Sequence, residues 1–268
     1  MPRDFQGPMI RVVDLVSHYG ERLILNHVNL EVEAGETMVI LGGSGTGKST
    51  LLRHLIRLET PTSGHIYIKN DDICAMSDEK FNLLRRKMGM AFQGAALFNS
   101  MTVEENVALP LRELTELEDS TIRIVARIKL EQVGLGGFEN YLPSQLSGGM
   151  RKRAGVARAM AMDPEIILFD EPSAGLDPIT AAGIDKLILD LKLAFGMTIV
   201  VVTHEMASAL LIADRIAMMD QGEVIAVGSR DEIRANPLPR VQQFLNREPD
   251  DVTKDARAYL RDLTQPSP

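Results

Sequence analysis

Residues 37–50 read TMVILGGSGTGKST, and this stretch decides the fold. Its first part is almost wholly apolar, which is typical of a strand in the middle of a sheet that is covered on both faces. A glycine-rich turn follows and leads directly into KSTLLRHLIRLE, whose pattern is helical. A buried strand, a glycine loop and a helix in this order predict an α/β protein.

The glycine-rich turn matches the pattern G-x-x-x-x-G-K-[ST]. Glycines let successive backbone N–H groups converge on phosphate oxygens, and the helix N-terminus adds a favourable dipole. Lys48 supplies a positive charge and Ser49 offers a hydroxyl to Mg²⁺. A chance glycine turn is the alternative, but the strand before it and the helix after it argue against this. We therefore predict that a nucleotide's phosphates contact Gly42, Gly43, Ser44, Gly45, Thr46, Gly47, Lys48, Ser49 and Thr50.

Two further strands end in chemically useful side chains. The apolar run IILFDEP at 166–172 ends in Asp170 and Glu171, and neighbouring residues on a strand point to opposite sides. Asp170 suits a Mg²⁺ site, and Glu171 could polarise an attacking water. The run VVVTHE ends at His204, on the sheet edge where open α/β sheets bind ligands. A solvated pair of acids and a structural histidine are the alternatives.

Three other features are weaker when each is taken alone. Gln93 follows the predicted strand KMGMAF and could bind Mg²⁺ or the water, while Tyr19 in SHYGER could stack on adenine. Residues 146–150 read LSGGM, a hydroxyl-bearing glycine turn that opens a helix and contains no acid, base or metal ligand. One phosphate loop is already present, so this second glycine turn needs a separate explanation.

Composition narrows the class of protein. The 268 residues carry 29 basic and 37 acidic side chains, a net charge of −8 that disfavours an extended grip on nucleic acid. No apolar run approaches the roughly 18 to 20 residues that a membrane span needs. The N-terminus MPRDFQGPM lacks the apolar core of a signal peptide, so we expect a cytoplasmic location.

The order of the predicted elements defines the fold class. Alternating strands before residue 37 predict a half-exposed antiparallel β subdomain, and the apolar strands predict a mainly parallel sheet flanked by helices. Helical periodicity from about Val103 to Glu131 predicts a helical insert. We predict one domain over 8–246, with a helical subdomain at about 95–160 and a polar C-terminal extension at 247–268.

Together these motifs resemble the ATP-binding cassette (ABC) ATPases, over nearly the whole chain from Ile10 to about Asn246. The resemblance implies an α/β P-loop NTPase core, ATP and Mg²⁺ as ligands, and a homodimer with two ATP molecules between its subunits. It implies that the catalytic residues are Glu171, His204 and Gln93. It also implies that the magnesium ligands are Ser49, Gln93 and Asp170.

The same resemblance extends the ATP-binding group beyond the phosphate loop. The residues it adds are Tyr19, Ser147, Gly148, Gly149 and Asp177. The LSGGM turn would bind the ATP held by the other subunit's phosphate loop. Met150 departs from the family, which commonly has glutamine there, so an amide contact would be lost while activity survives.

A finer resemblance is to the ATPases of Mla/Mce-type lipid transport systems. It rests on FQGAALFNSMTVEENVALPLRE, QLSGGM, GLDPIT and NPLPRVQQFLN. It implies phospholipid transport between envelope membranes through a separate integral permease, from the cytoplasmic side of the inner membrane. It also implies lipid-binding Mce/Mla-type subunits and a small accessory protein on the helical subdomain, together with a C-terminal tail that reaches the other subunit.

Three alternatives stay open at this point. A cassette for another solute, such as an amino acid or a lipoprotein, would share every catalytic motif. A cassette ATPase that acts on nucleic acid or ribosomes usually has two cassettes or long coiled-coil inserts, and neither is visible here. A P-loop small-molecule kinase would explain Lys48 and Asp170 but would leave LSGGM and His204 without a role.

Overall fold

The computed structural model describes residues 7–249, whose strands form two sheets. The strands are β1 Ile10–Tyr19, β2 Arg22–Val32, β3 Thr37–Gly42, β4 Ser63–Ile68, β5 Asp71–Asp72, β6 Met88–Ala91, β7 Ile166–Asp170, β8 Thr198–Thr203, β9 Arg215–Asp220 and β10 Glu223–Ser229. The helices are α1 Lys48–Leu55, α2 Asp78–Arg85, α3 Val103–Leu114, α4 Asp119–Gln132, α5 Gly148–Ala159, α6 Pro178–Phe195, α7 Met206–Ile212, α8 Arg230–Ala235 and α9 Pro239–Asn246, with a 3₁₀ turn at Pro143–Gln145. This is the predicted α/β fold class.

The larger sheet has six strands in the order β10-β9-β3-β8-β7-β6. Every neighbouring pair is parallel except β9 and β10, which form an antiparallel hairpin. Every residue of β3, β7 and β8 is buried, which explains their continuous apolar sequences. These three strands are neighbours in the middle of the sheet, so the segments that follow them meet at one edge.

The smaller sheet is antiparallel, with the order β2-β1-β4-β5. Its apolar side chains share a core with helix α1 and with one face of the larger sheet. Leu25 and Ile66 from this sheet, Leu52 from α1 and Ile40 from β3 belong to that core and are inaccessible to solvent. The antiparallel sheet that the sequence predicted before residue 37 is therefore present, and it packs on α1, the helix that follows the phosphate loop.

Helices α3, α4 and α5 pack on one another and share the second core with the other face of the larger sheet. Val107 and Leu130 from the helices are in the same buried cluster as Phe169 from β7. Helix α3 begins with a capping box in which Thr102 and Glu105 each accept a backbone N–H from the other. The predicted helices are present, and the division into a domain at 8–246 with a subdomain at about 95–160 stays a prediction.

Two expectations concern membranes and the chain's C-terminal part. Within 7–249, the chain contains no helix that has both the length and the apolar character needed to cross a bilayer. Of the predicted extension at 247–268, residues 250–268 lie outside the part of the chain that the structure describes. Residues 247–249 follow α9, and the Gln243 side chain of α9 donates a hydrogen bond to the Pro249 carbonyl.

Candidate functional site

The phosphate loop joins the end of β3 to the start of α1, as the sequence predicted. Gly45 and Gly47 have φ angles of 78° and 96°, which only glycine adopts without strain. A Cβ on Gly42 would lie 2.3 Å from the backbone oxygen of Met219 in β9. The glycines are therefore needed both for the course of the loop and for its close approach to the neighbouring strand.

Lys48 is buried at the first position of α1 and points back into the loop. Its Nζ donates to the backbone oxygens of Gly42 and Gly43, at 2.9 and 2.7 Å. Burial lowers the pKa of Lys48, while the negative charges of Glu171 and Asp170 act in the opposite direction. The ammonium is thus held within the loop and near two carboxylates.

Ser49 and Asp170 form a hydroxyl–carboxylate pair across two elements. The Ser49 Oγ, in the first turn of α1, donates to Asp170 Oδ1 at 2.8 Å. Asp170 is the last residue of β7 and is buried. The structure therefore brings together two of the three predicted magnesium ligands, although they are 121 residues apart in sequence.

Glu171 leaves the strand at once, because its φ angle of 48° lies in the left-handed region. Its backbone N–H donates to the carbonyl of Val202 in β8, at 2.9 Å. Its buried carboxylate lies 2.8 and 2.9 Å from His204 Nδ1 and accepts a hydrogen bond from the Thr203 hydroxyl at 3.3 Å. The two adjacent acids therefore have different partners.

His204 lies directly after β8 and its side chain is half-exposed. Because Nδ1 faces Glu171, the other ring nitrogen is available to a substrate. The sequence placed His204 at this edge of the sheet, and the structure adds its pairing with Glu171.

Tyr19 lies at the end of β1, and the residue is 45% exposed. It lines an open cavity of about 250 Å³ together with Arg22, Ile24, Gly45, Gly47, Lys48, Ser49 and Thr50. The Tyr19 hydroxyl donates to the carboxylate of Glu59, at 2.6 and 2.7 Å to its two oxygens. An aromatic ring therefore borders the phosphate loop, where the sequence predicted an adenine contact.

Gln93 is exposed and lies two residues beyond β6. In the sheet register Ala91 pairs with Phe169, so Gln93 lies on the same edge as Asp170. Within residues 7–249 the Gln93 side chain has no hydrogen-bond partner. The structure thus brings Gln93 to the edge of the site without joining it to the Ser49–Asp170 pair.

The LSGGM turn lies on a different part of the chain and lines no part of the cavity beside Lys48. Ser147 caps helix α5, and its Oγ accepts the Met150 N–H at 3.2 Å. A Cβ on Gly149 would lie 2.4 Å from Thr180 Cγ2, which explains a glycine there. Within one chain, Gly149 therefore lies against the start of α6, and the turn takes no part in the cavity at the phosphate loop.

Asp177 acts as the N-cap of α6. Its Oδ1 accepts the N–H groups of Ile179 and Thr180 at 3.1 Å each, and its Oδ2 accepts the Thr180 hydroxyl at 2.5 Å. These bonds lower the pKa of Asp177. Both oxygens thus have a structural task within the chain, and the predicted contact of Asp177 with ATP stays a prediction.

Two basic residues of α5 were missed by the sequence analysis. Lys152 donates from Nζ to the Glu171 carbonyl at 2.9 Å. Arg158 donates to the carbonyls of Ala95 and Ala96, at 2.9 and 2.7 Å, just after Gln93. The basic run RKR at 151–153 directly after LSGGM is the only sequence signal that could have pointed to Lys152.

These elements define a P-loop nucleotide-binding ATPase with a second, remote glycine turn. Residues 25–174 match the ABC transporter family. The chain is 40% identical over 258 residues to the intermembrane phospholipid transport system ATP-binding protein MlaF of Haemophilus influenzae, covering 95% of this chain and 98% of that protein. It is 43% identical over 240 residues to the probable ribonucleotide transport ATP-binding protein mkl of Mycobacterium leprae, covering 90% and 69%.

A solved structure agrees with these sequence matches. It is a dimeric, post-hydrolysis state of the ATP-binding cassette MJ0796 bound to ADP and phosphate. That structure has a TM-score of 0.76 and 36% identity, and the match covers 83% of this chain and 99% of the other. The chain belongs to the ABC transporter family. It is the ATP-binding cassette that hydrolyses ATP for transport.

Replacement of Gly42 by alanine should destabilise the protein, because the new Cβ would lie 2.3 Å from the Met219 carbonyl oxygen. We expect a loss of about 1 to 3 kcal/mol in the free energy of unfolding, the usual cost of overpacking. Gly43→Ala is the matched control, since its Cβ would approach nothing closer than Thr46 Cγ2 at 3.9 Å. Urea unfolding measures both variants, and equal midpoints would contradict the close contact between the loop and β9.

Proposed function

We propose that this ATPase powers phospholipid transport between envelope membranes through a separate integral permease. The observation that carries the proposal is the match to the Haemophilus influenzae phospholipid transport protein, which extends over nearly the full length of both chains. The segment FQGAALFNSMTVEENVALPLRE after Gln93 supports it, because that part of a cassette meets the membrane subunit.

Ribonucleotide transport is a second candidate, because the Mycobacterium leprae relative is named for that substrate. The chain covers 69% of that relative, against 98% of the phospholipid transport protein. The more complete match favours phospholipid as the transported substrate. Amino acids and lipoproteins, the other solutes considered from the sequence, have no comparable support.

The phosphate loop and its neighbours fit ATP with Mg²⁺. A hydroxyl and a carboxylate at a strand end, Ser49 and Asp170, are ligands that Mg²⁺ accepts when phosphates supply the rest of its coordination. Gln93 would add an amide oxygen. Bound Mg²⁺ would neutralise phosphate charge, while Lys48 supplies a fixed positive charge and the loop supplies backbone N–H groups.

Glu171 would act as the base that polarises the attacking water. Its carboxylate is buried, but it contacts His204 at the end of β8. Because His204 is half-exposed, an approaching phosphate can reach this end of the pair. His204 would use its remaining ring nitrogen to contact the γ-phosphate and orient the water. The Val202 carbonyl accepts the Glu171 N–H, and the Glu171 carboxylate is held by the Thr203 hydroxyl and His204 Nδ1. These contacts support the role, because they restrict the position of Glu171 before substrate arrives.

The remote LSGGM turn supports a site shared between two copies of the chain. Ser147, Gly148 and Gly149 have the N–H groups and hydroxyl of a phosphate-binding turn, but within one chain they lie apart from Lys48. In a two-fold symmetric dimer each turn would complete the partner's site, with Asp177 and the ring of Tyr19 contributing further contacts to ATP. Closure would move the permease, and hydrolysis would reopen the dimer.

The surface after β6 is the proposed docking site of the permease. A groove of about 350 Å³ is lined by apolar side chains that include Phe92, Phe98, Leu109 and Pro110. It adjoins Gln93, so a partner there would be near the catalytic edge. The permease would hold the protein on the cytoplasmic side of the inner membrane, with lipid-binding Mce/Mla-type subunits in the complex and a small accessory protein on the helical subdomain.

Glu171→Gln should leave ATP binding intact and reduce turnover by about 100-fold or more, because an amide cannot act as the base. The variant should also accumulate a closed dimer with ATP bound. Glu165→Gln is the matched control: Glu165 immediately precedes the opposite end of β7 and pairs with Lys69 and Lys87. Steady-state phosphate release measures both variants, and rapid hydrolysis by Glu171→Gln would remove the assigned role.

Ser147→Ala and Lys48→Ala should each inactivate the homodimer and regain activity when the two variants are mixed. Each mixed dimer has one site in which an intact Lys48 faces an intact Ser147. Random exchange of subunits in equal amounts should restore about a quarter of the wild-type sites. Phosphate release is compared before and after mixing, with heterodimers verified by two affinity tags. No recovery in verified heterodimers would count against shared sites.

Purification of the tagged full chain from membranes should recover an integral membrane protein with bound phospholipid. Mass spectrometry identifies both the protein and the lipid, and an untagged strain is the control. Bound ribonucleotide at a transport site would favour the second candidate. Recovery of ribosomes or DNA would overturn transport altogether, although the net charge of −8 makes nucleic acid a poor partner.

A further inference from the structure

The backbone of Glu171 is held in a conformation that a glutamate rarely adopts. Its φ of 48° lies in the left-handed region, which is strained for a residue with a Cβ, so the surroundings must maintain it. The N–H is held by Val202 in β8. The carbonyl accepts two hydrogen bonds, from the Ala174 N–H at 3.2 Å and from Lys152 Nζ at 2.9 Å.

Lys152 is the side chain that joins this strained position to another element. It lies in the second turn of α5, the helix that Ser147 caps, and it crosses to the end of β7. Its ammonium is half-buried, and it is attracted by the negative charges of Glu171, Glu205 and Asp170. A charge-assisted hydrogen bond in such a place is stronger than one between neutral groups.

From this geometry we infer that Lys152 is a positioning residue for Glu171 of its own chain. Its hydrogen bond holds the reversed backbone at Glu171, and that backbone directs the carboxylate toward His204 and Thr203. Lys152 does not contact the reacting atoms. The inference rests on the proposed role of Glu171 as the catalytic base.

The consequence for catalysis is a change in turnover and not in ATP binding. The phosphate loop, Ser49 and Tyr19 are held by contacts that do not include Lys152. Displacement of a catalytic group by about 1 Å can cost up to about 100-fold in rate. Loss of the Lys152 hydrogen bond should therefore lower kcat and leave KM for ATP nearly unchanged.

The first experiment compares Lys152→Met, Lys152→Arg and Lys186→Met in the full chain. Methionine keeps the apolar stem and removes the ammonium, while Lys186 is a control on α6 whose ammonium pairs with the exposed Asp190. We expect Lys152→Met to lower kcat about 10-fold or more, with KM within about twofold of wild type. Arginine should restore most of kcat, and Lys186→Met should match wild type.

A Lys152→Met enzyme that folds and keeps kcat within about twofold would overturn the inference, as would a raised KM with unchanged kcat. If Lys152→Met fails to fold, Lys152→Gln is judged by the same criterion. The proposed function is tested separately by Glu171→Gln. A dead Glu171→Gln enzyme with a normal Lys152→Met enzyme rejects only the inference, whereas an active Glu171→Gln enzyme rejects the catalytic role itself.

The second experiment asks in which chain Lys152 acts. In the mixed dimer of Ser147→Ala and Lys48→Ala chains, the one intact site uses Lys48 and Glu171 of the first chain and Ser147 of the second. Lys152→Met should lower the recovered activity about 10-fold or more when added to the Ser147→Ala chain, and should leave it within about twofold when added to the Lys48→Ala chain. Equal losses in both placements indicate a merely structural role, and loss only in the second placement indicates an effect through the LSGGM turn. Either result overturns the inference.

Discussion

The site depends on the parallel pairing of three wholly buried strands. β3, β7 and β8 are neighbours, and their register pairs Leu41 with Thr203 and Asp170 with Val202. Because the strands are parallel, their carboxyl ends lie at one edge, and the polar groups that follow each strand meet there. Alternate side chains of each strand belong to two different cores, and a shift by one residue would exchange them, so the close packing of both cores favours this register.

Helices α3 to α5 are joined to that edge by two kinds of interaction. Apolar side chains of the helices share a core with the sheet, and non-directional burial of this kind fixes the helices without specifying the geometry of the site. Directional contacts come from α5, where Lys152 binds the Glu171 carbonyl and Arg158 binds the Ala95 and Ala96 carbonyls. One helix thus contacts both Glu171 and the segment after Gln93.

The sequence predicted the strands, the loop and the placement of His204, because burial and strand ends are local patterns. It did not predict the contacts of Lys152 and Arg158, which join residues 19 and 62 to 63 positions apart through long flexible side chains. The pairing of Glu171 with His204 was hidden for the same reason. An Asp-Pro pair at a helix start predicts the capping role of Asp177, whereas the family resemblance implies a contact with ATP for the same residue.

Met150 takes part both in the packing of the core and in the hydrogen bonding of the LSGGM turn. Its side chain is half-buried against the core shared by the helices and the sheet, while its N–H donates to Ser147 Oγ. Glutamine, which the family commonly has there, would offer an amide to a neighbouring subunit. Methionine offers apolar contact within its own chain and leaves the backbone donors of Gly148 and Gly149 in place. Met150 therefore contributes its side chain to packing, whereas the hydrogen bond from its backbone N–H to Ser147 does not depend on which side chain stands at this position.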